Sequence, residues 1–424
     1  MEHISESEYA HPLHPRLIDP NSTRRLHVAM WTPLPPAPSG ISDYAVALSR
    51  ALIPHVDLTI YSAADADLSL FMGLPITVLS YQDYNPISSR QADVHIYHMG
   101  NSAHFHTEIY RQLLREPGIV VLHDLALFGF YLFNLYHQGS RQQFLEELAY
   151  HHGSRAAKGA GRYISSDFSS WLDLPMNRRV VEASLATIVH SRYGQESLLA
   201  KYPQAAVYSV QHGAHVLDGG SRMGVRRTYG WQDNQFVVGV FGEISPHKRI
   251  HVLLEALPRL LMVNPESGLL LAGRDGPNPN YPTKIRNMLR DRKIRNSVSY
   301  VPNPSTPQLE QFIQAVDVVV NLRWPTTGEM SGIMLRAFGA GKPVIGSDVP
   351  QWRELPESFC WRVPVGDGEV SALVERLTYA AEHPTETRRA GDAARRFVID
   401  HATWEIAASR YLAVIESVVA QKRG

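Results

Sequence analysis

A chain of 424 residues is long enough for two or three domains, and its 44% hydrophobic content is enough to fill sizeable cores. Lysine plus arginine and aspartate plus glutamate number 41 each, so no net charge recruits nucleic acid or an anionic membrane, although local basic patches stay open. The single cysteine, Cys360, excludes an internal disulfide; it lies in an apolar stretch, which fits a buried small hydrophobe in a reduced, cytosolic protein.

Residues 1–24 lack the apolar core of a signal peptide and read as a mobile polar tail. No run is long and apolar enough to span a bilayer; the nearest, 119–136, is interrupted by His123, Asp124 and Asn134. The chain has 20 histidines, but the pairs His95/His98, His104/His106 and His151/His152 show no zinc-site pattern with cysteine or carboxylate partners, so no metal is expected. Asp65-Ala66-Asp67 sits in an ordinary polar stretch and carries no weight as a metal motif.

The first strand is predicted over 26–31, followed by the proline-dense loop 33–44, PLPPAPSGISDY, and a helix over 43–52. Ser39-Gly40 releases the loop where backbone can near a ligand; the plainer reading is a tight strand-to-helix turn with Ser42 or Asp43 as N-cap. Further strands are predicted over 56–62, 75–80, 92–99 and 118–123, then 187–190 and 205–211, with helices near 125–135, 141–152 and 177–183. This alternation predicts a parallel, doubly wound sheet. Two of its strands end in polar residues, Tyr97-His98-Met99-Gly100-Asn101 and His123-Asp124. A histidine at such an edge donates to a sugar hydroxyl or an oxyanion, or else bonds a neighbouring carbonyl. The aromatic run Phe128, Phe130, Tyr131, Phe133, Tyr136 has no single helical face; most of it reads as core packing, with an acceptor pocket or a shallow membrane-facing patch as the other readings.

Residues 217–232, with Asp218-Gly219-Gly220-Ser221 and several arginines, suit an exposed linker. A strand over 236–241 opens a second alternating half, and Gly242 to Arg249, GEISPHKR, leads into a helix over 249–261. Strands over 269–273 and 297–301 and a helix over 304–315 follow, with Gly273-Arg274-Asp275-Gly276 as another loop at the same sheet edge. After a strand near 359–363, helices over 368–381, 384–399 and 404–419 end the chain.

The most informative stretch is 321–356, NLRWPTTGEMSGIMLRAFGAGKPVIGSDVPQWRELP. A strand over 316–321 runs into Thr327-Gly328-Glu329-Met330-Ser331-Gly332, which opens a helix over 330–340 with Met330, Ile333, Met334, Ala337 and Phe338 on one buried face. Glu329, Gly332, Arg336 and Gly339 share the opposite face, where small residues and the positive helix end let an anionic ligand approach. Gly341-Lys342-Pro343 stops the helix.

Residues 323–344 match R-Y-P-T-x-G-E-x-S-G-x-x-x-R-A-x-x-x-G-K-P-V almost position for position, and the chain from Arg25 onward resembles the retaining glycosyltransferases of family 4. The resemblance implies the GT-B fold: an acceptor-binding Rossmann-like domain over 25–216, a linker over 217–234, a nucleotide-sugar-binding Rossmann-like domain over 235–402, and a final helix over 403–424 crossing back to the first domain. It implies a nucleoside-diphosphate sugar as co-substrate, with no other cofactor, and a glycan or lipid-linked acceptor. The loop 33–44 is similar to the family's P-x-P-P-x-x-S-G-I-x-D-Y, which brings Gly40 and Ile41 to the cleft, and the H-D pair brings His123 beside the reacting carbon. Gly242 to Arg249 fits G-x-x-x-x-x-K-R, so Lys248 and Arg249 would hold the departing diphosphate. Glu329, Met330, Ser331, Gly332 and Ile333 would hold the sugar hydroxyls. Arg274 would line the nucleotide or simply close a polar turn. Glu354 fits a glutamate that sits near the ribose in relatives.

The commoner family wording has two glutamates eight apart, and Gly328 and Arg336 stand in their places here. Arg336 therefore reads either as a ligand contact or as a salt bridge to Glu329 or Glu354. The expected function is metal-independent, front-face sugar transfer with retention, at the cytoplasmic side and with peripheral membrane contact allowed. A GT-B epimerase or phosphorylase and a non-catalytic sugar-nucleotide sensor are the alternatives. The absence of G-x-G-x-x-G after either first strand disfavours an NAD enzyme.

Overall fold

The computed structural model describes residues 24–85, 92–164, 173–220 and 222–423, so most of the expected polar tail and Ser221 of the expected linker lie outside the described residues. The first half builds one parallel seven-stranded sheet from β1 (His27–Trp31), β2 (Asp57–Ser62), β3 (Ile76–Ser80), β4 (Val94–Met99), β5 (Ile119–Leu122), β6 (Ala186–Val189) and β7 (Val207–Ser209), in the order β3-β2-β1-β4-β5-β6-β7. The second half builds a parallel six-stranded sheet from β8 (Val237–Phe241), β9 (Gly268–Gly273), β10 (Val298–Pro302), β11 (Val318–Asn321), β12 (Val344–Ser347) and β13 (Cys360–Val363), in the order β10-β9-β8-β11-β12-β13. Strand order reverses beside β1 and beside β8. Ligand crevices of open α/β sheets form at the carboxyl ends of such strands.

The strands read as continuous apolar runs because both faces are covered. Val28 and Met30 of β1 enter one core and Ala29 and Trp31 the other; in β8, Val237 and Phe241 are divided in the same way from Val238 and Val240. The last helix, Trp404–Arg423, buries Trp404, Ala407, Ala408, Tyr411, Val414, Ile415, Val418 and Val419 in the core that holds Val28 and Met30. Its Tyr411 hydroxyl lies 2.8 Å from that of Tyr44 on the helix Gly40–Leu52. The chain's last element thus packs on its first sheet. No helix among the described residues is long and apolar enough to cross a membrane.

Four local readings change. The first-loop helix begins at Gly40 instead of 43, with the Ser39 hydroxyl accepting the Ile41 N–H at 3.2 Å. The predicted helix over 125–135 is a short turn, Phe128–Tyr131, followed by a π-helical segment, Leu132–His137; Phe128, Phe130 and Tyr131 are core residues, whereas Phe133 is exposed. A helix at Asn280–Met288 was not anticipated. The expected exposed linker contains the helix Arg222–Thr228, and its Arg226 is completely buried. That guanidinium donates to the carbonyls of Ala315, Gln232, Asp233 and Gln235 and to Asp317 at 2.7 Å. A buried arginine looks like any surface arginine in sequence, because its acceptors, three carbonyls of the following turn together with Ala315 and Asp317, are brought around it only on folding. Arg226→Met takes the buried donor from four carbonyls and leaves Asp317 only Arg222 and the Val237 N–H, and we expect urea unfolding to show a loss of roughly 3 kcal/mol.

Candidate active site

Both sheets direct their carboxyl edges at one cleft, and each edge loop delivers part of the site. From the first sheet, the Ser39 cap sets Gly40 with open space around its α-carbon. Ile41 reaches toward Gly100, where an added Cβ would come within 2.6 Å of the Ile41 Cδ1. His123 and Asp124 follow β5 directly.

From the second sheet, Gly242 adopts a left-handed φ of +105°, and an added Cβ at Gly273 would lie 1.8 Å from the Gly242 carbonyl oxygen. Only glycine permits that closeness of the two strand ends. The turn Pro246–Lys248 then sends Lys248 into the cleft. Its ammonium has no ion-pair or hydrogen-bond partner among the described residues, and burial, reinforced by the Arg323 charge, pulls its pKa down to about 7.

The signature segment forms the opposite wall. Ser331 is the N-cap of the helix Gly332–Gly339, its hydroxyl accepting the Met334 N–H at 3.4 Å, so Gly332 and Ile333 present first-turn N–H groups with no intrahelical acceptor. The helix starts two residues later than predicted; its buried face is Met334, Leu335, Ala337 and Phe338, while Met330 and Ile333 are half-buried. Gly332 faces the His212 ring, whose Nε2 would lie 3.7 Å from an added Cβ, and Ile333 lies equally close to Gly242.

Glu329 is held by protein donors. Its carboxylate pairs with Arg323 and accepts from the Thr326 hydroxyl at 2.7 Å, the Thr327 N–H at 2.7 Å and the Thr327 hydroxyl at 2.8 Å. The charge is retained down to about 2 despite burial, because Arg323 and these hydrogen bonds outweigh desolvation. The same Thr327 hydroxyl lies 2.6 Å from Asp124 across the cleft, and Asp124 also accepts the Asn101 N–H at 2.8 Å. The Thr327 carbonyl accepts the Leu125 N–H at 2.7 Å. Gly328, with φ of +81°, passes so near Leu125 that an added Cβ would lie 2.6 Å from its side chain.

Three predicted site residues bridge the domains. The Arg336 guanidinium meets Asp43 of the first domain at 3.2 Å and Glu310 at 3.8 Å, so its ion-pair partners are neither Glu329 nor Glu354. Arg274 donates to the Pro38 carbonyl of the first loop and lies 3.7 Å from Glu243. Glu354 accepts the N–H groups of Arg192 and Tyr193, at 2.9 and 2.5 Å, at the start of the first-domain helix Arg192–Lys201. That occupies the carboxylate expected near a ribose. Arg249 is also committed elsewhere. With a left-handed φ of +51°, it gives two donors to the buried Glu369, so Lys248 alone of the pair faces the cleft.

Sequence reasoning left Asp124, Arg323, Thr327 and Tyr44 without roles and gave His98 only the general reading of a strand-edge histidine. Arg323 and Thr327 stand inside the matched signature, and Asp124 in the H-D pair, so membership of a motif was the available signal. Tyr44 closes the matched first-loop wording and so had the same signal; its ring packs 4.9 Å from His123, 5.1 Å from His190 and 4.7 Å from His212.

With two parallel, doubly wound sheets facing each other across this cleft, the fold is GT-B, and residues 224–397, which carry the second-sheet wall of the cleft, match the family described as Glycosyl transferases group 1. Anabaena HepE, solved in complex with UDP and glucose, shares the fold with a TM-score of 0.67 at 15% identity, over 92% of this chain and 100% of its own. Sucrose-phosphate synthase of Thermosynechococcus elongatus does so with the same TM-score and identity over 94% and 100%. D-inositol 3-phosphate glycosyltransferase of Stackebrandtia nassauensis is 28% identical over 136 residues, 31% of this chain and 30% of its own. The Gordonia bronchialis protein of that name is 26% identical over 212 residues, 48% and 45%. The chain thus spans about a third to just under half of the length of these curated relatives.

The Thr327 hydroxyl has one proton to share between two carboxylate neighbours, Asp124 and Glu329. Burial, then the nearby Glu329 charge, pushes Asp124 up to about 6, so of the two carboxylates it is the one that takes up a proton as pH falls through that value. A raised folded pKa adds stability that is complete below the ordinary 3.8 and lost as pH rises through about 6. Asp124→Asn removes that dependence. Its melting temperature should exceed wild type by roughly 2–4 °C at pH 8, with the difference gone by about pH 4, as read by calorimetry.

Proposed function

We propose that this chain is a retaining glycosyltransferase of family 4 that moves a sugar from a nucleoside-diphosphate sugar to the hydroxyl of a glycan or lipid-linked acceptor. The observation that carries this reading is Lys248, an unpaired ammonium in the cleft opposite the free N–H groups of Gly332 and Ile333. A departing diphosphate develops negative charge, and a desolvated cation facing a helix N-terminus stabilises it. Lys248 supplies the positive charge that is not already paired, and the diphosphate needs no metal in this account. The sugar lies against the Glu329 to Ile333 turn with His123 near its reacting carbon. The acceptor hydroxyl attacks on the face the diphosphate leaves and gives its proton to a phosphate oxygen.

A GT-B epimerase or phosphorylase uses the same cleft and differs in its products: the first turns over donor without acceptor, and the second requires phosphate. The UDP bound by Anabaena HepE makes UDP-sugars the first donors to try. Release of nucleoside diphosphate from UDP, GDP, ADP and dTDP sugars, with and without EDTA, separates these readings. Turnover of one donor, indifferent to EDTA and about 10²–10³-fold lower in Lys248→Ala, is the expected outcome. Failure of every donor to bind would refute the assignment of the cleft.

Because the free Lys248 has a pKa near 7 and a diphosphate favours its charged form, donor affinity should weaken as pH rises above about 7. Titration calorimetry across pH 6–9 reads this directly, and Lys248→Ala should lose the dependence.

A further inference from the structure

Behind His123 lies a second imidazole that no part of the proposed reaction uses. His98, at the end of β4, is completely buried, and its Nδ1 is 2.9 Å from His123 Nε2. Its own Nε2 has no hydrogen-bond partner among the described residues. Burial holds His98 neutral, at about 3, and His123 well below its ordinary value, so neither ring carries a second proton to share. One proton lies between the rings, and the question is which ring owns it.

If His123 donated, His98 would have to carry its proton on Nε2, leaving a buried N–H without an acceptor. If His98 donates through Nδ1, the orphaned atom is a bare lone pair, the less costly of the two defects. The neighbours offer no other solution. His190 donates from Nδ1 to the Val210 carbonyl at 3.0 Å, His212 from Nδ1 to the Gly213 carbonyl at 2.6 Å, and His106 from Nδ1 to the His98 carbonyl at 3.1 Å. Each already has its tautomer fixed by a backbone oxygen. His123 is half-buried, and its Nδ1 has no partner among the described residues.

We infer that His98 is a positioning residue: by donating to Nε2 it fixes His123 as the Nδ1–H tautomer and turns a hydrogen-bond donor toward the bound sugar. This rests on the donor-sugar reading of the cleft. In that role His123 is a neutral donor to a sugar oxygen and cannot serve as a base.

Two readouts test the inference independently of each other. In free protein labelled with 15N-histidine, with the His123 signals assigned by their loss in His123→Gln, His123 should show a protonated Nδ1 and an unprotonated Nε2 at pH 7.5. His98→Phe, which fills the same buried space without a donor, should abolish that single tautomer, and His98→Asn, which keeps an N–H near the Nδ1 position, should preserve it. A His123 protonated on Nε2 in wild type, or a tautomer unchanged in His98→Phe, overturns the inference whatever the enzyme does. In turnover, His98→Phe should lower kcat about 10–100-fold with the donor KM within about twofold, and His98→Asn should recover most of it. Equal kcat in wild type and His98→Phe would overturn the sugar-facing role even with the tautomer confirmed. No turnover of any donor by wild type, with the tautomer as stated, would count against the transferase reading and leave His98 fixing His123.

Discussion

One hydroxyl stands where the two halves of this molecule meet beside the signature loop. Thr327 lies 2.6 Å from Asp124 of the first sheet and 2.8 Å from Glu329 of its own loop, with one proton to give. Two carboxylates brought that near repel, and the surroundings assign the parts: Arg323 and three further donors keep Glu329 charged, while burial makes Asp124 the one that takes up a proton below about pH 6. Leu125 against Gly328 allows no other side chain at the crossing. The signature loop is therefore shaped by the opposite domain as much as by its own, and the free helix N-terminus beyond Ser331 depends on that shape.

Charge in the cleft follows a consistent rule. Arg336, Arg274 and Arg249 are satisfied by Asp43, the Pro38 carbonyl and Glu369, and Glu354 by two backbone N–H groups. Lys248 is the cleft cation left without a counter-charge among the described residues, and its depressed pKa is the electrostatic cost of that. A site whose other charges are already paired directs an anion to one place. The histidines around Tyr44 are all held neutral by burial, so they add hydrogen-bonding capacity without adding to the field.

The two sheets were legible in sequence because buried parallel strands are apolar runs bounded by glycine and proline, and every strand expected is present with its ends shifted by up to two residues. The signature 323–344 located the second-sheet wall of the cleft for the same reason: its pattern is local. What could not be read was pairing. Arg249 beside Lys248 looks equally suited to a diphosphate until Glu369, 120 positions later, is seen to take it. Glu354 looks available until it caps a helix 161 positions earlier. Arg226 sat in a stretch whose glycines and charges favour solvent, and its burial depends on carbonyls that only the folded chain assembles. Local chemistry names candidates, and long-range hydrogen bonds decide which of them are free.

The central claim is that a nucleoside diphosphate lies between Lys248 and the start of the Gly332–Gly339 helix. A crystal structure with UDP bound tests it most directly. The account predicts phosphate oxygens within about 3 Å of the Lys248 ammonium and of the Gly332 or Ile333 N–H, with Arg249 still on Glu369. A diphosphate bound away from Lys248, or held by Arg249 released from Glu369, would contradict it.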